Sequence, residues 1–108
     1  MLQKALEIDE RIGNESGTAI RYGNLATIYQ RIGDIGQAKA YYSKALNMME
    51  RIGDRHSAAF SYFNLGSLYR DQGDRAQARA HFEKAKALYE MVGDTPHAQQ
   101  AAQALRGL

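Results

Sequence analysis

A glycine followed by an acid or its amide returns every 20 residues along this chain, at Gly13–Asn14, Gly33–Asp34, Gly53–Asp54, Gly73–Asp74 and Gly93–Asp94. The tetrapeptide RIGD stands at 31–34 and again at 51–54, with RIGN, DQGD and MVGD at the other three places. Between the glycines Ala, Leu, Glu, Gln, Lys and Arg dominate, and Pro96 is the single proline. Such segments favour helix. Glycine just past a helix end takes up the left-handed conformation that closes it, at no steric cost. The Asp or Asn that follows can cap the next helix by accepting its free backbone N–H groups. Asp34–Gln37 and Asp74–Gln77 add a spacing that resembles a capping box. Each pair is therefore a stop and a start. Six helices are predicted, near 1–12, 16–32, 35–52, 55–72, 75–92 and 95–106.

The structural unit is longer than the beat. A shift of 40 residues superposes Ala19, Tyr22, Asn24, Leu25 and Tyr29 on identical residues at 59, 62, 64, 65 and 69, and it carries Gly33, Asp34, Gln37, Ala38, Lys44 and Ala45 onto 73 through 85. A shift of 20 keeps little beyond the glycines and acids. The repeat is a pair of unlike helices, A then B, and short connections force such neighbours to run antiparallel. A core stripe recurs in each A helix: Tyr22, Leu25, Ala26 and Tyr29, then Tyr62, Leu65, Gly66 and Tyr69. In the B helices it is Ala38, Tyr42, Ala45, Met49 and Ile52, then Ala78, Phe82, Ala85, Tyr89 and Val92. Small residues beside aromatic rings allow close interdigitation. The expected architecture is all-α, a right-handed α-solenoid of stacked antiparallel helix pairs.

The phrases YGNLATIYQRIGDIGQAKAYYSKAL and YFNLGSLYRDQGDRAQARAHFEKAK resemble the tetratricopeptide repeat. Its pattern is matched by Tyr62, Leu65–Gly66, Tyr69, Gly73, Ala78, Phe82 and Ala85, and by their partners one repeat earlier. The family's usual repeat is shorter than the 40 residues here, and Gly53 and Gly93 replace its closing proline. Register assigns residues 1–13 to an unpaired B helix, because Leu2, Ala5 and Leu6 align with Tyr42, Ala45 and Leu46. Repeats follow at 14–53 and 54–93, with an A-type or capping helix at 94–108. Complete repeats number two, and such arrays need about three for stability, so the chain is expected to be part of a longer array.

On a helical wheel centred on Tyr22, Ile20, Asn24, Thr27 and Arg31 lie opposite the core stripe, and Phe60, Asn64, Ser67 and Asp71 hold the same face one repeat later. The resemblance implies that this face lines a concave groove for an extended peptide or helix. It also implies that Asn24 and Asn64 hydrogen-bond the ligand's main chain, for which a carboxamide supplies both donor and acceptor. Ile20, Phe60 and Phe63 would then receive apolar side chains, and Arg31 and Arg70 an acidic one. Gly23, mid-helix and in register with Phe63, costs about 1 kcal/mol relative to alanine, and is expected to make room for a ligand or for the Phe63 ring. The family's grip on chaperone C-termini needs Lys and Arg where this chain has Ile20, Gly23, Phe60, Phe63, Gln100 and Gln103, so that specialisation is not expected.

Fourteen basic against 12 acidic residues give a net charge of +2, too small and scattered for a nucleic-acid or membrane footprint. There is no cysteine, which excludes disulfides and thiolate chemistry. No apolar stretch suits a signal peptide or a membrane span, so a cytoplasmic location is the default. His56, His81 and His97 fall on different predicted helices without an i, i+4 partner, and no metal site or cofactor is expected. No phosphate loop is present, and an enzyme is not expected. The expected role is a protein–protein interaction module, a scaffold or regulator. A second reading has the unpaired end helices of successive copies stacking head to tail into a homo-oligomer.

Overall fold

The computed structural model describes Leu2–Leu108, with side chains from Asn14 onward, and is helical apart from short connections. Its helices are α1 (Leu2–Arg31), α2 (Ile35–Ile52), α3 (Arg55–Asp71), α4 (Arg75–Met91) and α5 (Thr95–Arg106). Four junctions share one geometry. Gly33, Gly53, Gly73 and Gly93 have φ of 86°, 79°, 83° and 77°, the left-handed region closed to most side chains. The N–H of the following aspartate bonds back to the carbonyl of Tyr29, Met49, Tyr69 or Tyr89 at 2.8–2.9 Å, while the glycine N–H reaches the residue after it. This is the Schellman closure of one helix. The same aspartate opens the next: Asp34, Asp54, Asp74 and Asp94 each accept the N–H three residues on, at 3.1–3.2 Å.

The fifth junction is absent, which corrects the expected count from six helices to five. Gly13 and Asn14 lie inside α1, where the carbonyl of Asn14 accepts the Thr18 hydroxyl at 2.8 Å. A Gly–Asn pair permits a left-handed turn without compelling one. Continuing the helix costs about 1 kcal/mol for the glycine. It also leaves no orphan backbone groups to cap, and so wins unless the helices on either side gain more by folding back on each other. The stripe expected at Leu2, Ala5 and Leu6 lies outside the described side chains.

Among the described residues the substantial helix contacts run α1–α2, α2–α3, α3–α4 and α4–α5. Neighbours are antiparallel: near the first junction Tyr29 stacks on Tyr41 with ring centroids 5.5 Å apart, and farther from it Lys44 lies 5.1 Å from the Tyr41 ring and 5.7 Å from that of Tyr22. The described chain measures 52 × 32 × 19 Å, and the shortest dimension is about two helix diameters. Ala26, Ala38, Ala45, Ala78, Ala85, Phe82 and Leu65 are buried, as the stripes predict, and Ala19, Ala58 and Ala59, outside the stripes, are buried too. Leu25 and Val92 are exceptions at 37% and 41% exposure. Leu65, in register with Leu25, is 2% exposed because α3 has α2 and α4 against it, whereas the principal described neighbour of α1 is α2 alone.

Small residues matter here in different ways. A methyl group on Gly66 would fall 2.9 Å from two carbons of the buried Phe82 ring, whereas one on Gly23 would meet nothing within 4 Å. The Phe63 ring packs on Phe82 at 5.2 Å, so Gly23 is not what accommodates it. Gly66→Ala should destabilise the fold by about 1–3 kcal/mol, and Gly23→Ala should stabilise it by up to about 1 kcal/mol. Denaturant unfolding of the two variants checks both signs.

Candidate functional site

A cavity of about 380 Å³ lies between α1 and α3 with α2 beneath it. Four residues at helical spacing on α1 form one wall: Ile20, Gly23, Asn24 and Thr27. His56, Ser57, Phe60 and Ser61 from the first half of α3 form the other, and Tyr42, Ala45 and Met49 of α2 form the floor. Tyr89 and His97 close one end. Ile20 and Phe60 are 58% and 57% exposed. A large apolar side chain left that open on each wall marks a surface suited to contact.

Polar groups are fixed below the rim. Thr27 donates to or accepts from the Tyr42 hydroxyl at 3.1 Å, and its Oγ1 lies 3.1 Å from the Gly23 carbonyl. The Tyr42 hydroxyl also donates to Gln30 at 3.2 Å. Thr27 is thus committed to holding the floor. Asn24 is exposed on the wall, with no hydrogen-bond partner for its carboxamide among the described residues.

Five of the ten residues expected at a binding face line this cavity: Ile20, Gly23, Asn24, Thr27 and Phe60. The other five do not. Arg31 is exposed near the end of α1, and Asp71 is exposed at the end of α3 beside Arg70, 3.5 Å away. Phe63 is half-buried on Phe82, Asn64 is half-buried, and the Ser67 hydroxyl donates to the Phe63 carbonyl at 3.2 Å. Phe60, one 40-residue step from Ile20, lines this cavity with it, whereas Asn64, the same step from Asn24, does not.

The sequence reading missed a cluster at the closed end. His56 in the first turn of α3 and His97 in the first turn of α5 both donate to Asp94 Oδ2 at 2.7 Å. Asp94 caps α5 through its other oxygen, which accepts the His97 N–H at 3.2 Å. The His97 ring stacks on buried Tyr89 at 5.1 Å, and His56 meets the same ring edge-on at 5.8 Å. His81 is elsewhere, with Nδ1 2.8 Å from the Gln77 carbonyl. His56 and Asp94 are 38 residues apart, and the 40-residue period was the available signal, since it stacks the starts of successive A helices.

These bonds hold the Asp94 carboxyl at about 2, against an ordinary 3.8, chiefly through the bonds from His56 and His97. Burial, with the nearby charge of Asp94, pushes the Tyr89 hydroxyl up to about 12. Between pH 4 and 2 the unfolded chain protonates Asp94 while the folded chain does not, so stability falls as pH drops through that window. Asparagine keeps the cap but loses the charge. Asp94→Asn should therefore be less stable than the parent at pH 7, and the difference should shrink as the pH falls from 4 to 2 in thermal unfolding.

No curated protein sequence matches this chain. Among solved structures, the crystal structure of BtubC (BKLC) from P. vanneervenii superposes with a TM-score of 0.62 at 26% identity, over 96% of this chain and 52% of that one. This chain thus spans about half the length of that structure. No described helix is long and apolar enough to cross a membrane. The tetratricopeptide-repeat profile matches residues 1–51 and 22–91, which together take in the closures at Gly33, Gly53 and Gly73 and both aromatic stripes. This protein belongs to the tetratricopeptide-repeat family.

Proposed function

We propose that this chain is a protein–protein interaction module, a scaffold or regulator, that seats an extended peptide or helix in the groove between α1 and α3. Repeats of this family generally mediate protein–protein contact. The observation that carries the reading is the pairing of Ile20 and Phe60, each more than half exposed, across an apolar cavity with the Asn24 carboxamide on its rim. Apolar side chains of the partner enter between Ile20 and Phe60, while Asn24 pairs with its backbone. Asn64, with Phe63, Ser67 and Asp71, serves the following groove of a right-handed solenoid whose repeats occupy 14–53 and 54–93 and whose last helix caps it. Arg31 and Arg70 at the helix ends favour an acidic residue in the ligand. No observation among the described residues favours head-to-tail stacking.

Selection from a random-peptide display library on the purified chain, followed by fluorescence anisotropy, tests the reading. Asn24→Ala should weaken the selected peptides by about fivefold, the worth of one net hydrogen bond. Phe60→Ala should weaken them by tenfold or more, as a central aromatic anchor does. Both side chains are exposed, so thermal stability should hardly change. Failure to enrich any peptide, or peptides indifferent to Ile20→Ala and Phe60→Ala, would overturn groove binding.

A further inference from the structure

We propose that His56, Asp94 and His97 form a binding site for a divalent transition-metal ion of the zinc, cobalt and nickel class, which ties the start of α3 to the start of α5. The donor atoms, two imidazole nitrogens and a carboxylate oxygen, all lie within 4.8 Å of one another. Around a tetrahedral ion with bonds near 2.1 Å, neighbouring donors stand about 3.4 Å apart. Each imidazole nitrogen is 2.7 Å from Asp94 Oδ2, so each ring withdraws by about 0.7 Å to admit the ion. As the ion binds, the proton on each coordinating nitrogen moves to the other nitrogen of its ring or, from a charged imidazole, passes to solvent.

The surroundings hold the donors in place. The second oxygen of Asp94 accepts the His97 N–H at 3.2 Å, which fixes the plane of the carboxylate. Both rings rest on Tyr89, whose side chain is buried. Support of this kind orients ligands before the ion arrives. The side chains of His56 and His97 remain 60% and 47% exposed, which gives the ion a route in and leaves its fourth position to water. Two nitrogens with one oxygen suit borderline ions rather than calcium or magnesium, which prefer all-oxygen shells.

The other three junctions carry the same capping aspartate without a pair of imidazoles above it: among the described residues, the side chains of Asp34, Asp54 and Asp74 accept the N–H of Gln37, Ser57 and Gln77 and nothing else. Capping alone does not account for the composition of the fourth. The positive ends of α3 and α5 oppose a cation, so the charge of Asp94 is indispensable to the site.

The full chain, prepared without a histidine tag, is titrated with zinc against a chromophoric chelator and with cobalt by visible absorption. One ion per chain, a tetrahedral cobalt spectrum and a melting temperature that rises with zinc but not with magnesium are expected. His56→Gln, His97→Gln and Asp94→Asn should each weaken zinc by tenfold or more; His81→Gln should leave it unchanged. Asp94→Asn retains the helix cap, and circular dichroism of every variant confirms that it is folded. No binding to the parent chain, or binding lost equally with His81→Gln, or retained in all three site variants, overturns the site.

Discussion

Every helix after the first begins on a residue that also ends the helix before it. The aspartates at 34, 54, 74 and 94 donate a backbone N–H backwards, five residues, and accept a backbone N–H forwards, three residues. The glycine ahead of each supplies the left-handed turn between the two directions. A helix end leaves up to four N–H or C=O groups unsatisfied, and a chain with this many ends would lose heavily if they were left to chance. Here two adjacent residues satisfy two carbonyls of one helix and an N–H of the next. The connection is so short that the next helix has no choice but to fold back along its predecessor, and from that follows a layer of antiparallel neighbours about two helix diameters thick.

Once the helices are fixed in that order, side-chain size decides how near they come. Ala26 and Gly66 occupy one register position, and in the second repeat the fully buried Phe82 ring fills the space where a Cβ would stand. Polar groups between helices are paired rather than left bare. The Tyr62 hydroxyl donates to Glu50, and its ionisation is pushed up to about 12 mainly by burial, with that bond and the negative charge adding to it. Tyr42 is tied to Thr27 and Gln30. The groove is the complement of this packing. Between α1 and α3 the contact is slight among the described residues, and α2 below supplies Tyr42, Ala45 and Met49 as its floor.

Much of this was legible in the sequence, because glycine and aspartate act locally. Four of five junctions fall where the 40-residue register puts them, and most of the stripe residues are buried, with Tyr22, Tyr29, Ile52 and Tyr69 half-buried. The failures are those of non-local choice. Gly13–Asn14 carries the same local chemistry as the other pairs, yet α1 runs through it, since what makes a turn worthwhile is the packing of the helices it joins. Leu25 looks like Leu65 in sequence and differs in burial, 37% against 2% exposed, because a stripe is core only where a neighbour covers it. The groove face was half legible. A wheel identifies which residues share a direction, and it correctly set Ile20, Asn24 and Phe60 apart from the core. It does not say which of them face one another.

The His56–Asp94–His97 cluster shows the same limit from the opposite side. Metal-binding spacings within one helix are a local signal, and none exists here. A solenoid offers another kind of spacing, in which residues one repeat apart occupy corresponding places on successive helices. His56 lies two residues beyond the cap of α3, and His97 three beyond the cap of α5, so the stacking of helix starts brings their rings to one carboxylate. The backbone N–H of Asp94 closes α4, and its carboxylate starts α5 and accepts a hydrogen bond from each imidazole. Adding an ion replaces two hydrogen bonds by coordination and leaves the cap intact, so the site fills without dismantling the junction it is built on. Because His97 closes one end of the groove and His56 lines the α3 wall, the ion ties that wall to the end of the surface on which a partner would lie.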